Sequence, residues 1–186
     1  MSKYDYVLRN ADDILDKLET LDYLCLQQRI VADLLIVGGS GILLFMEQEG
    51  REFRPTRDVD VNLLDTNDQK ALFALLSDVG IEVVGGVMEV PPMEDFRDTE
   101  SLFKIDSAEF SAINVYVPTI EMLACTKIFS KREKDLFDLR ETQILESCNL
   151  EKLLFMVEEY RGYVTNPNHP DLNLHQLVDI IKEKVV

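Results

Sequence analysis

Residues 34–46 read Leu-Leu-Ile-Val-Gly-Gly-Ser-Gly-Ile-Leu-Leu-Phe-Met, an apolar run of strand length that meets two glycines and then resumes with helical character. That order predicts a strand, a tight turn and a helix, because Gly38 and Gly39 close a turn without a side-chain clash. The first backbone N–H groups of a helix lack intrahelical partners and sit at the positive end of its dipole. A glycine turn opening a helix therefore can cradle a phosphate, with Ser40 adding a hydroxyl.

Downstream, Arg54-x-Thr56-x-Asp58-Val59-Asp60 leads into the segment DVDVNLL, residues 58–64. Its alternation predicts a half-buried strand that carries both carboxylates on one face. Two carboxylates at i and i+2 can hold a hard divalent ion such as magnesium or manganese through oxygen ligands. A phosphate cradle beside a metal clamp is the equipment of phosphoryl or nucleotidyl transfer.

Outward from this stretch, Leu8, Ala11, Ile14, Leu15, Leu18 and Leu21 recur at helical spacing and predict an amphipathic N-terminal helix. DYLCLQQRIVA continues or follows it. Asn67 and Asp68 are caps for the helix QKALFALLSDVG, and Gly80 ends it. IEVVGG and VMEV read as strand pieces around Gly85 and Gly86, PPMEDFRDTE as an acidic loop, and SLFKI with SAINVYV as a hairpin closed near Asp106 to Glu109. Beyond Pro118 strand signals cease. Thr119 caps IEMLACTKIFS, and EKDLFDLRETQIL, LEKLLFMVEEYRGY and LHQLVDIIKEKVV supply further helical patterns, with NPNHPDLN as a loop. The expected organisation is a sheet domain over 1–118 with N-terminal helices and a helical segment over 119–186.

Composition narrows the functional classes. The 186 residues are 46% hydrophobic and 29% charged, which excludes a disordered or fibrous chain. A net charge of −16 argues against non-specific duplex binding and acidic membrane surfaces. No apolar run spans a bilayer and the N-terminus lacks an apolar signal core, so a cytoplasmic location is expected. Cys25, Cys125 and Cys148 form no metal-binding spacing and read as structural thiols. His169 and His175 have no partner signature. Against the acidic background, Arg51, Arg54, Arg57, Lys127, Lys131, Arg132 and Lys134 concentrate positive charge in two short stretches, a local funnel for a triphosphate if the fold unites them.

The pattern GGSGILL followed by RPTRDVDV resembles the nucleotidyltransferase superfamily built on the fold of DNA polymerase beta. The similarity is to its small bacterial branch, which includes abortive-infection type IV toxins. CTKIFSKREKDLFDL is similar to that branch's helical signature, carried here by Lys127, Arg132, Lys134, Asp135 and Asp138. The resemblance spans about residues 30–140. It implies an α+β fold with a mixed, mainly antiparallel sheet of about five strands flanked by helices, a nucleotidyltransferase fold with a C-terminal helical segment. It further implies nucleotide binding by Gly38, Gly39, Ser40, Arg54, Thr56, Arg132 and Lys134, with Asp58, Asp60 and Lys127 catalytic, Asp58 and Asp60 on the metal, and Lys127 neutralising phosphate.

The family's third carboxylate comes from a later strand. The position that aligns with it is Asn114, a weak ligand that cannot act as a base, with Asp106 as a nearby substitute. The expected activity is magnesium-dependent transfer of a nucleotide from a nucleoside triphosphate to an acceptor hydroxyl on RNA, a protein or a small molecule. The second expectation, motivated by Asn114, is a catalytically degenerate nucleotide-binding or interaction module of a toxin-antitoxin or defence system with an antitoxin-like partner. The third is a structural domain with an unrelated partner.

Overall fold

The computed structural model describes residues 7–85, 90–97 and 102–185. They divide into two compact units, Met1–Gly85 with Thr99–Pro118, and Gly86–Asp98 with Thr119–Val186. Among the described residues no helix is long and apolar enough to cross a membrane.

The first unit opens with α1, Ala11–Gln28. Asn10 caps it by accepting from the Asp13 N–H at 3.0 Å, and Arg29 ends it in the left-handed conformation at φ 57°. Ile14, Leu18, Leu21 and Cys25 form its buried stripe. Leu8 stands outside the helix, because the Asn10 cap stops it; it is buried and bridges Thr56 through two backbone hydrogen bonds of 2.8 and 3.0 Å. DYLCLQQ simply completes α1.

Strand β1, Ala32–Val37, runs directly into α2, Gly38–Gln48. Strand β2, Val59–Thr66, returns antiparallel to β1. Helix α3, Gln69–Val79, is capped by Asp68, which accepts from the Ala71 N–H, and ended by Gly80 at φ 71°. It leads to β3, Ile81–Val83, parallel to β2. The hairpin of β4, Leu102–Lys104, and β5, Ile113–Pro118, completes the sheet in the order β3-β2-β1-β5-β4. The β1–β5 pair is parallel. This is the expected α+β architecture, a five-stranded mixed sheet with helices against it, although two of the four strand junctions are parallel. Of the predicted strand VMEV, residues 87–89 lie outside the described residues, and the acidic loop contains a short 3-10 helix, Met93–Arg97.

Strand register assigns every side chain to a face. Ile36 opposes Val61 and Leu34 opposes Leu63, while Val37 opposes Asp60 and Leu35 opposes Asn62. Leu34, Ile36, Val59, Val61, Val115 and Val117 are all buried, and α2 packs on β1, β2 and β5. Alternation therefore puts Asp60 on the face opposite to these residues.

The second unit gathers around α4, Ile120–Ile128, capped by Thr119. Nearly all of α4 is buried, in keeping with a sequence that is apolar around most of its circumference. It packs against α5, Glu133–Glu141, α6, Ile144–Ser147, and α7, Leu150–Arg161. The chain closes with a 3-10 turn, Asn173–Gln176, and α8, Leu177–Val185. The single predicted helix EKDLFDLRETQIL is split into α5 and α6 at Thr142, whose extended backbone ends α5.

Candidate active site

Gly38 and Gly39 are the first residues of α2, whose N-cap residue is Val37. Valine has no side-chain acceptor, so the first-turn amides gain no capping bond from it. Gly38 has φ +63°, and a Cβ built there would stand 3.0 Å from Asp60 Oδ2. At Gly39 a Cβ would meet Thr56 Oγ1 at 3.0 Å and Arg54 Nη2 at 3.8 Å. The two glycines are required by close approach, and what approaches them is the motif 54–60.

Further contacts lock this arrangement. Ser40 is fully buried; its hydroxyl donates to the Val37 carbonyl at 3.1 Å and accepts from the Asp60 N–H at 3.4 Å. Ser40 thus ties the turn to β2. Arg54 places its guanidinium over the Phe53 ring, 5.1 Å from the centroid, and donates from Nη1 to the Pro55 carbonyl. Asp58 is exposed and immediately precedes β2, while Asp60 is half-buried within it. Val59 and Val61 between and after them are fully buried, which assigns both carboxylates to the opposite side.

The next residue on that face is Asn62, 3% exposed, whose Oδ1 is buried and has no hydrogen-bond partner among the described residues. Beside Asp60, on the parallel strand β3, its register partner is Glu82. Residues paired in register share a face, so a third carboxylate flanks the Asp58-x-Asp60 motif. Sequence reasoning missed it. The signal was present as Ile81-Glu82-Val83, an acid between two β-branched residues, but the pairing of β3 with β2 is a tertiary property.

Asn114 was expected to stand at that position, and the structure corrects this. It pairs in register with Asp33, to which its amide donates at 2.7 Å. Asp33 precedes Val37 by four residues, about 13 Å along a strand, so Asn114 lies at the other end of β1 from the glycine turn. Continued past the Leu35–Tyr116 pair, the register brings Pro118 level with Val37. Asp106 shares Asn114's end, since both line one cavity of about 420 Å³ with Lys104, Glu109 and Ser111. Neither residue completes the Asp60 site.

The helical motif belongs to the second unit, and its charges are arranged differently from expectation. Lys127 is 4% exposed, and its ammonium donates to Asp135 Oδ1 at 2.9 Å and Asp138 Oδ2 at 2.7 Å, both buried. Asp135 also accepts from Arg132 Nε at 2.7 Å. Burial alone would raise the Asp135 pKa, but the Lys127 charge and hydrogen bonds from Ser130, Lys127 and Arg132 outweigh it and hold the carboxyl below its ordinary range. The Arg132 side chain is 76% exposed, and Lys134 is exposed.

Asp58, Asp60 and Glu82 are hard oxygen donors on neighbouring positions of one sheet face, and the orphaned Asn62 oxygen adds a neutral donor behind them. This set suits a magnesium or manganese ion in kind. As the side chains stand, no three His, Cys, Asp or Glu residues converge on one point among the described residues.

A family model described as "Nucleotidyltransferase of unknown function (DUF6036)" matches residues 12–183. No curated protein and no solved structure gives a significant match.

Proposed function

The chain belongs to the DUF6036 family, nucleotidyltransferases of unknown function, and from that membership we propose that it transfers a nucleotide from a nucleoside triphosphate to an acceptor hydroxyl with a divalent metal ion. The observation that carries the proposal is the contact between the glycine turn and the acidic strand, with Asp60 Oδ2 only 3.0 Å from where a Gly38 Cβ would stand. Phosphate cradle and metal-binding carboxylate are thereby parts of one site.

In this reading the first-turn amides of α2 donate to phosphate oxygens at the positive end of the helix. Arg54, beside Gly39, balances phosphate charge, and Thr56 supplies a hydroxyl. Asp58, Asp60 and Glu82 would hold magnesium or manganese, which supplies charge neutralisation at the phosphates and polarises the leaving pyrophosphate. The acceptor oxygen attacks the α-phosphorus, the bond to pyrophosphate breaks, and a carboxylate, Glu82 or Asp60, receives the hydroxyl proton. The degenerate-module reading rested on Asn114, and Glu82 supplies the carboxylate that Asn114 lacks.

The test is incubation with each α-labelled nucleoside triphosphate and magnesium or manganese, against total RNA, lysate protein and small-molecule fractions. Label should pass to one acceptor class with release of pyrophosphate, and an Asp58→Ala, Asp60→Ala double variant should lose it. Equal transfer by the double variant would sink the assignment.

A further inference from the structure

We infer that Asn62 holds the divalent ion together with Asp60, its buried amide oxygen serving as a metal ligand that the fold itself leaves unused. The inference rests on the nucleotidyltransferase reading and deepens it. Asp58, Asp60 and Glu82 are carboxylates to which motif and strand register point, whereas Asn62 belongs to no motif and is assigned on its burial and its missing partner.

Asn62 is out of place in its strand. Asparagine is depleted in strands, yet this one sits between Val61 and Leu63 in β2 and is 3% exposed. Burying an amide is costly unless its polar atoms are hydrogen-bonded, and Oδ1 has no partner among the described residues. A local rule broken inside a fold without compensation marks a functional position. The sheet offers Asn62 nothing polar on two sides. Leu35, fully buried, is its register partner on β1, and the Val84 N–H donates to the Val61 carbonyl at 2.8 Å, which sets Val84 beside it on the other. The β1–β2 register runs without a shift from Val37–Asp60 to Leu34–Leu63. Asp60 and Asn62 therefore project from the same side.

These two residues repeat the i, i+2 spacing of Asp58 and Asp60 one step deeper, since exposure falls from Asp58 through Asp60 to Asn62. A carboxylate and an amide oxygen on neighbouring positions are both acceptors, and neither can satisfy the other. A water held there would need several polar partners. A hard cation satisfies both oxygens at once, because magnesium and manganese take carboxylate and amide-carbonyl ligands alike. The side chain also has the right charge for its depth. A neutral amide can be buried with its oxygen unpaired at modest cost, whereas a third aspartate in the row would put an uncompensated charge in the interior.

The experiment follows manganese binding to the whole chain, without nucleotide, by the paramagnetic resonance of the free ion, and measures urea midpoints of the metal-free proteins. Wild type is compared with Asn62→Leu, which keeps the shape and removes the oxygen, with Asn62→Asp, which keeps the oxygen and adds charge, and with the Asp58→Ala, Asp60→Ala variant. Manganese affinity should fall about 10- to 100-fold in Asn62→Leu, the range for losing a supporting contact of a metal site, and stay at or above wild type in Asn62→Asp. Metal-free stability should run the opposite way, with the urea midpoint highest in Asn62→Leu and lowest in Asn62→Asp. A side chain that merely packs the strand would not reverse the two orders. Unchanged manganese affinity in Asn62→Leu overturns the inference, and so does a urea midpoint no higher than wild type, which would mean that the fold itself uses the oxygen. If Asn62→Leu does not fold, the Asn62 Cγ resonance of wild type decides: magnesium should shift it, and a resonance unmoved at saturation overturns the inference. Manganese binding that is absent in wild type, or undiminished in the Asp58→Ala, Asp60→Ala variant, instead overturns the metal assignment of the functional reading, a different result.

Discussion

Glu82 and Asp60 are register partners on adjacent parallel strands, which makes Glu82 a carboxylate neighbour of the Asp58-x-Asp60 motif on one sheet face. The pairing has a cause in the chain: α3 is bounded by an Asp68 cap and a Gly80 terminator, so β3 begins at Ile81 with Val59 as its partner. One residue further along each strand, the two acids stand side by side.

Glu82→Gln should therefore lower nucleotidyl transfer by about 10²- to 10⁴-fold, the range for losing a proton acceptor, with a further loss of metal affinity. Asn114→Asp should leave transfer unchanged, because Asn114 sits at the far end of β1 against Asp33. Rates of label transfer for both variants check the pair. Full activity in Glu82→Gln together with a gain in Asn114→Asp would return the third-acid role to β5.

Gly38→Ala and Gly50→Ala separate backbone strain from site geometry. Both glycines have positive φ, +63° and +68°, so each substitution should cost about 1 kcal/mol of stability. A Cβ at Gly50 has none of the described residues within 4 Å, whereas one at Gly38 presses on Asp60 Oδ2. If nucleoside triphosphate with magnesium raises the wild-type melting temperature by mass action, as the proposed function requires, only Gly38→Ala should lose that rise. Equal nucleotide responses in the two variants would mean that Asp60 tolerates displacement.

What could be read from the chain was local. The strand, turn and helix around Gly38 are fixed by apolar length and glycine, the two carboxylates 58 and 60 by alternation, and α3 by its Asp68 cap and Gly80 terminator. The remainder depended on long-range pairing. β3 is three residues long, too short for alternation to reveal a face, so Glu82 passed as an ordinary strand acid. Asn114 was misplaced because a one-strand pattern carries no register, and register decided which end of β1 it meets. Lys127 was expected to neutralise phosphate, yet α4 is apolar on most sides. Only the packing of α5 against it reveals that Asp135 and Asp138 are its partners.

Asp22 should be among the most sensitive positions for stability in the first unit. Its carboxylate accepts from the backbone N–H groups of Ser111, Ala112 and Ile113 at 2.7 to 3.1 Å, tying α1 to the start of β5. Asp22→Ala leaves those donors without an acceptor in a buried setting, a loss of about 2 to 4 kcal/mol. Urea unfolding at neutral pH measures it. Asp22→Asn should fall between the two, since its carbonyl oxygen still accepts. A loss below about 1 kcal/mol for Asp22→Ala would indicate that water replaces the carboxylate.

The acid limb of the stability curve tests the Lys127 cluster without any nucleotide. Burial pushes the Asp135 carboxyl up, but the Lys127 charge and three hydrogen bonds outweigh it, so its folded pKa lies below the ordinary value of 3.8. For a group depressed on folding, the stabilisation is present above the unfolded pKa and is lost as pH falls through the folded one. Wild type should thus keep this contribution above about pH 5 and lose it progressively below about pH 4. Asp135→Asn cannot titrate at that position, so its stability should be lower at neutral pH and fall less steeply through the acid window. The difference between the two unfolding curves, taken from pH 3 to pH 7, isolates the group from the other carboxylates. If the curves run parallel over that range, Asp135 is not held ionised by Lys127 and Arg132.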